Sequence, residues 1–165
     1  MDDIEIKHKE LHRVVPTAII CKDGKYLILK RNLNKKAFPG KWTVPGGGLE
    51  VDDYINTEKT VADIWYFAIE NTLRREVKEE TNLEVENIKY LCDMTFIRPD
   101  GIPVAVLSFY CDYVCGDIKL DEDSIEHAWV TAEEAKNYDL IDGIAEEIEM
   151  VDKILNQKPN QGENG

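Results

Sequence analysis

The chain has 165 residues, 43% hydrophobic and 32% charged, with a formal net charge of −13 and a pI of about 4.6. That length and apolar content suit one folded domain with a real core and exclude a chain disordered throughout. The acidic surface excludes nucleic acid and anionic membranes as partners, so an anionic substrate would have to be brought in by a bound cation.

The N-terminal stretch MDDIEIKHKE is too charged for a secretory signal. No apolar run approaches the length of a bilayer span, and a cytoplasmic location is expected. Residues 14–21 and 26–29 are apolar runs around Asp23-Gly24, a strong hairpin signal. Pro16 points to an edge or a strand start. FPGKWTVPGGG then reads as a shaped loop around a short strand over 41–44. Residues 51–67 are mixed and carry no clear pattern. In AIENTLRREVKEET, Leu73 and Val77 repeat at helical spacing with Ile69 a turn earlier, which predicts a helix over 68–81. Asn82 fits a left-handed position just past its end.

Residues 88–97 and 104–113 form a second hairpin pattern around RPDGIP. AWV is a short strand candidate. TAEEAKNY opens a helix, with Thr131 and Glu134 spaced as a capping box. Residues 141–156 read as a final amphipathic helix. The order β-β-β-α-β-β-β-α-α predicts an α/β (α+β) fold, a mixed sheet with helices packed on it. A single domain is expected over 1–157, with a flexible tail at 158–165. Cys21, Cys92, Cys111 and Cys115 form no CxxC pair and no zinc pattern with histidine. They read as reduced residues in or beside strands.

In TLRREVKEETNLE, Glu76, Glu79 and Glu80 fall at i, i+3 and i+4. They share one helical face, bordering the apolar stripe of Leu73 and Val77, with Arg74 and Lys78 opposite. Like charges at i, i+4 destabilise a bare helix slightly, and a hard cation would relieve them. Mg²⁺ favours carboxylate oxygens and keeps waters beside substrate phosphates. Taken alone, RREVKEE is an ordinary solvated helix and PGGG an ordinary turn.

Together the two segments resemble the box of the Nudix hydrolase family. That box runs G, five residues, E, seven residues, R-E-U-x-E-E-x-G-U, where U is aliphatic. Pro45, Gly46, Gly47 and Glu50 match its front; Arg75, Glu76, Val77, Glu79, Glu80 and Leu83 match its back. The general plan, strands, box, hairpin and a late E-x-x-W segment at Glu126 to Trp129, follows the family over most of the chain. Two departures stand out. Counting from Gly47 puts the first box glutamate at Asp53 and the box arginine at position 61, where Val61 stands. The arginine comes at Arg75, so about fourteen residues (75 minus 61) are inserted, most simply over 54–67. This leaves the role of Asp53 open. Asn82 replaces the last glycine, a mild change at a left-handed position.

The resemblance implies a Nudix fold and Mg²⁺-dependent hydrolysis of a phosphoanhydride in a nucleoside diphosphate linked to a group X, with Mn²⁺ as an alternative metal. It implies metal binding by Glu76, Glu79, Glu80 and the Gly46 carbonyl, Arg75 orienting a site glutamate, and Glu76 as a catalytic residue. The general base would be a box glutamate or a later one, Glu122 or Glu126, against the plain reading of DEDSIEHAW as a solvated acidic loop. That stretch lacks the central glycine and spacing of a calcium loop. Glu50 would support the glycine loop. Trp42 reads as packing. Trp65, Tyr66 and Phe67 stack a base or, as favoured here, cover the core or a dimer interface. The MutT-like reading, a nucleoside or deoxynucleoside triphosphate substrate, leads. A nucleotide-sugar or dinucleotide pyrophosphatase is the alternative within the class. A non-catalytic nucleotide sensor comes last, because the acid triplet is intact. A homodimer through the insert is a further reading.

Overall fold

The computed structural model describes residues 5–6 and 8–157, and the expected tail at 158–165 lies outside them. Asp23 and Gly24 take positive φ angles of 50° and 74°, the backbone a tight hairpin turn needs. They join β1 (Arg13–Lys22) to β2 (Lys25–Arg31), which pair antiparallel only beside the turn, at Cys21–Tyr26 and Lys22–Lys25. Beyond that the strands part. The edge of β2 that β1 leaves free is taken by β3 (Trp42–Thr43), shorter than the four residues expected. The Pro-Gly-Gly loop continues from β3 along β1: Ala18 N–H donates to the Pro45 carbonyl, Gly47 N–H to that of Pro16 and Leu49 N–H to that of Val14.

Pro16 is therefore not at a strand start; it lies within β1, on an edge that the glycine loop and no strand covers. Its missing N–H lies on the side of β1 that meets the loop, where its carbonyl accepts from Gly47. On its other side β1 pairs in parallel with β5 (Pro103–Cys115), which forms a long hairpin with β4 (Glu84–Ile97). Both strands extend further than the hydrophobic pattern implies. β6 (Ser124–Val130) pairs with the outer edge of β2 and completes a six-stranded sheet. It is longer than AWV, because pairing with β2 recruits the acidic residues before it.

Alternation along β1 and β2 gives the sheet two apolar faces. Ala18, Ile20, Leu27 and Leu29 pack against Leu73 and Val77 of α1 (Ala68–Thr81), which has the bounds expected of it. Asn82 caps α1 in the left-handed conformation, φ 65°. Ile19, Tyr26 and Ile28 pack against Ile144, Ile148 and Val151 of α3 (Ile144–Leu155). This helix starts later than position 141 because Gly143, at φ 93°, breaks the helical path. The preceding α2 (Ala132–Ala135) is a single turn, and it carries the expected Thr131–Glu134 capping box. Helices thus cover both faces of a mixed sheet.

Glu147 of α3 is buried, and its Oε1 accepts from Ser108 Oγ at 2.6 Å and Cys92 Sγ at 3.4 Å, so its charge is tied to the sheet. The four cysteines are free thiols. Burial pushes Cys21 and Cys111 up to about 12 and Cys92 to about 11, which leaves these three protonated at neutral pH. Among the described residues no helix is long and apolar enough to cross a membrane.

Candidate active site

The glycine loop and α1 meet where Gly46 and Gly47 run beside β1. A Cβ on Gly47 would lie 2.6 Å from Glu76 Oε2, with the rest of that carboxylate nearer still. A Cβ on Gly46 would lie 2.5 Å from the Pro16 carbonyl oxygen. Only glycine permits both approaches. Gly46 N–H donates to Glu80 Oε2 at 3.4 Å. The fold therefore seats one α1 carboxylate on each of two consecutive glycines.

Glu79 differs. Its side chain is 55% exposed and pairs with Arg75 Nη1 at 3.0 Å. The same Nη1 lies 3.0 Å from Glu76 Oε1, while Arg75 Nε donates to Asp53 Oδ1 at 2.6 Å. Asp53 Oδ2 also accepts from Thr72 Oγ1 and from Glu50 N–H, both at 2.9 Å. With its side chain only 5% exposed, Asp53 has burial pushing its pKa up; Arg75, the Glu50 amide and Thr72 outweigh that, and it ends below the usual carboxylate range. Asp53 thus anchors the box arginine, which answers the question its position raised. Glu50 is exposed, and its backbone N–H and carbonyl both bond to Asp53.

The electrostatics of the pair on the glycines run the other way. Burial raises Glu76, with Glu79 adding to it against the pull of Arg75. Burial raises Glu80 far above the usual range, and repulsion from Glu76, Asp121 and Asp123 adds to it. Asp121, itself raised by burial, was not singled out from the sequence. Its signal was present in the acidic run DEDSIE, but nothing in that run says which acid turns inward. Among the described residues no three His, Cys, Asp or Glu side chains form a ready metal cage. The donor set still suits a hard cation. Glu76 and Glu80 are desolvated carboxylates that repel each other, and Glu80 has one long hydrogen bond from Gly46.

Glu126 stands in β6 with its carboxylate on Lys30 Nζ at 3.0 Å and its side chain 55% exposed. Glu122 is exposed. The structure brings Glu76, Glu80 and Gly46 together, holds Glu79 beside them through Arg75, and gives Glu126 a lysine partner on β2. Trp42 packs edge-on against Tyr138, 4.9 Å between ring centres. The aromatics of the insert do not all cover the core. Trp65 rests on Tyr54 and donates to the Thr57 carbonyl, but Tyr66 and Phe67 face solvent, Phe67 at 73% exposure. They close a turn-rich loop that leads into α1, and neither joins the apolar cluster on either face of the sheet.

The NUDIX domain model matches residues 10–151, and the chain belongs to the Nudix family. The match joins the Pro-Gly-Gly loop, the Arg-Glu helix and the strands between which they sit. The chain is 30% identical over 139 residues to the nucleoside triphosphatase NudI of Klebsiella pneumoniae (strain 342), covering 78% of this chain and 88% of that one. With the NudI of Escherichia coli O81 (strain ED1a) it shares 29% over the same length and the same coverage. The MutT protein of Methanosarcina mazei Go1 superposes with a TM-score of 0.66 at 24% identity, over 92% of this chain and 100% of that one. The MutT Nudix hydrolase of Burkholderia pseudomallei gives 0.65 at 22%, over 86% and 99%. The chain is accordingly a Nudix pyrophosphohydrolase. Enzymes of this family use divalent metal ions.

Proposed function

We propose that the chain hydrolyses a phosphoanhydride of a nucleoside or deoxynucleoside triphosphate in the cytoplasm, with Mg²⁺ as its metal and Mn²⁺ able to replace it. The observation that carries this reading is the seating of Glu76 and Glu80 on consecutive glycines, Gly47 and Gly46, with Arg75 paired to Glu76 and no ion pair to Glu80 among the described residues. The triphosphatase activity in the names of the NudI relatives supports the substrate class.

Glu76, Glu79, Glu80 and the Gly46 carbonyl would hold the ion. Bound there, it neutralises phosphate charge and makes a water more acidic. Arg75 fixes the rotamers of Glu76 and Glu79 by charge-assisted hydrogen bonds and is itself fixed by Asp53. The reaction adds water to phosphorus and breaks one P–O–P linkage, so a base must take a proton from that water. Glu126 is one of the bases the sequence offers, beside a box glutamate and Glu122. A second reading gives the role to Asp121, because it is partly buried, its charge acts on Glu80 and its own pKa is raised by burial, while Glu126 is held by Lys30.

Residues 1–157 act as one domain in this reading. A nucleotide sugar or a dinucleotide is the competing substrate, and a non-catalytic sensor the competing class. A homodimer would use the outward side chains Ile55, Val61, Ile64, Tyr66 and Phe67 of the insert. The deciding experiment is release of phosphate or pyrophosphate from triphosphates, deoxytriphosphates, nucleotide sugars and dinucleotides, with and without chelator. Turnover of triphosphates that chelator abolishes supports the proposal. A folded, metal-binding protein with no turnover of any of them overturns it in favour of the sensor.

A further inference from the structure

Gly48 follows the two glycines that seat the carboxylates, and it too is pressed by a side chain. A Cβ there would lie 2.5 Å from Cζ and 3.0 Å from Nε of Arg13, with Nη2 nearer. The guanidinium of Arg13, the first residue of β1, thus lies against the loop one residue from Glu76's seat. By strand alternation it belongs to the face of Thr17 and Ile19, opposite α1. The loop runs along β1 with a carboxylate against Gly47 and a guanidinium against Gly48.

Arg13 is exposed, and among the described residues no carboxylate stands within ion-pair reach of it. The other cations around the acidic cluster are engaged: Arg75 with Asp53, Glu76 and Glu79, Lys30 with Glu126, Lys35 with Asp123. In a chain of net charge −13, an unneutralised guanidinium beside the phosphate chemistry is the local attraction for a polyanion. Its planar fork matches phosphate oxygens in pairs.

We propose that Arg13 binds a phosphate of the substrate that the carboxylate side of the loop does not hold, and so selects triphosphates over nucleoside diphosphates whose group X is an uncharged sugar. This rests on the hydrolase reading above. Gly48, having no Cβ, lets the guanidinium reach that position.

The test compares wild type, Arg13→Gln, Arg13→Lys and Gly48→Ala. KM and kcat are measured for a triphosphate and a nucleotide sugar, and inorganic tripolyphosphate is titrated calorimetrically in the presence of Ca²⁺. Arg13→Gln is expected to raise KM for the triphosphate and Kd for tripolyphosphate by about tenfold or more, leaving kcat and the sugar's KM near wild type. Gly48→Ala should move the same way with the charge retained, and Arg13→Lys should recover only part of the loss. Unchanged melting temperatures show that the variants are folded. Triphosphate KM and tripolyphosphate Kd both within twofold of wild type in Arg13→Gln overturn the proposal, as does an equal loss for the sugar substrate. If wild type turns over no triphosphate while Arg13→Gln still loses tripolyphosphate, the hydrolase reading fails and the phosphate site stands.

Discussion

Arg75 Nε donates to Asp53 Oδ1 at 2.6 Å, although 22 residues separate them. The bond closes the interrupted box. The chain leaves at Tyr54, runs through the exposed insert, and returns to place Arg75 against the acid it left behind. Removing the carboxylate charge should strand the arginine among weaker partners. Asp53→Asn is expected to cost about 2 kcal/mol of stability in urea unfolding and to lower kcat/KM by loosening Glu76. An unchanged urea midpoint would show that the bond is not structural.

Glu80 is the acid whose charge costs the fold most and whose site needs it most. Glu80→Gln should reduce kcat/KM by about 100-fold or more while the metal-free protein at pH 8 melts higher than wild type. Activity and stability moving in opposite directions is the signature to look for. Loss of both would mean that the side chain holds the fold.

The same carboxylates set a pH dependence in the absence of divalent ions. Glu80 is raised by burial first and by Glu76 next, so the folded protein holds a proton that the unfolded chain releases near pH 4.3. Its contribution is complete below that pH and is lost as pH rises through its folded-state value. Asp53, lowered in the folded state, has the opposite sign: its stabilisation is present above about pH 3.9 and is lost as pH falls through its folded-state value. Melting temperature in chelator should therefore decline from weakly acidic to alkaline pH, and fall again in strong acid. Excess Mg²⁺ should remove most of the alkaline decline. A pH profile that Mg²⁺ leaves unaltered would separate the acids from metal binding.

Gly47 faces the carboxylate of Glu76. Gly47→Ala puts a methyl group where that carboxylate sits, so Glu76 must swing away from the loop. Turnover should drop at least about tenfold with the circular dichroism spectrum retained. Near-normal turnover would show that Glu76 works from another rotamer.

The two candidate bases are separable. Asp121→Asn is expected to lower kcat strongly and shift its acidic limb, while Glu126→Gln, already held by Lys30, should lose less than about fivefold. The reverse ranking in a kcat–pH profile would return the role to Glu126.

Much of this molecule is written locally. The α1 bounds, the Asp23-Gly24 turn, the Asn82 cap and the Thr131 capping box each depend on neighbours in sequence, where dihedral preference and hydrophobic period act. The pairing of a glycine loop with an acidic helix was implied by the family resemblance, although the insert breaks the box spacing. Local pattern did not give the length of β6, the mid-strand place of Pro16 or the exposure of Phe67. Each depends on which edge or face the remote partner leaves free.

The sequence by itself determined the class of chemistry. Acid triplet, glycines and arginine are residue types, and their charges and sizes are fixed before folding. Only the tertiary structure decided which acids share a low-dielectric seat. Glu76 and Glu80 close on the loop, Glu79 turns to Arg75, Asp121 comes in from a distant run, and Asp53 becomes the arginine's anchor. Charge energies depend on distance and burial, and those quantities exist only once β1, the loop and α1 are packed together.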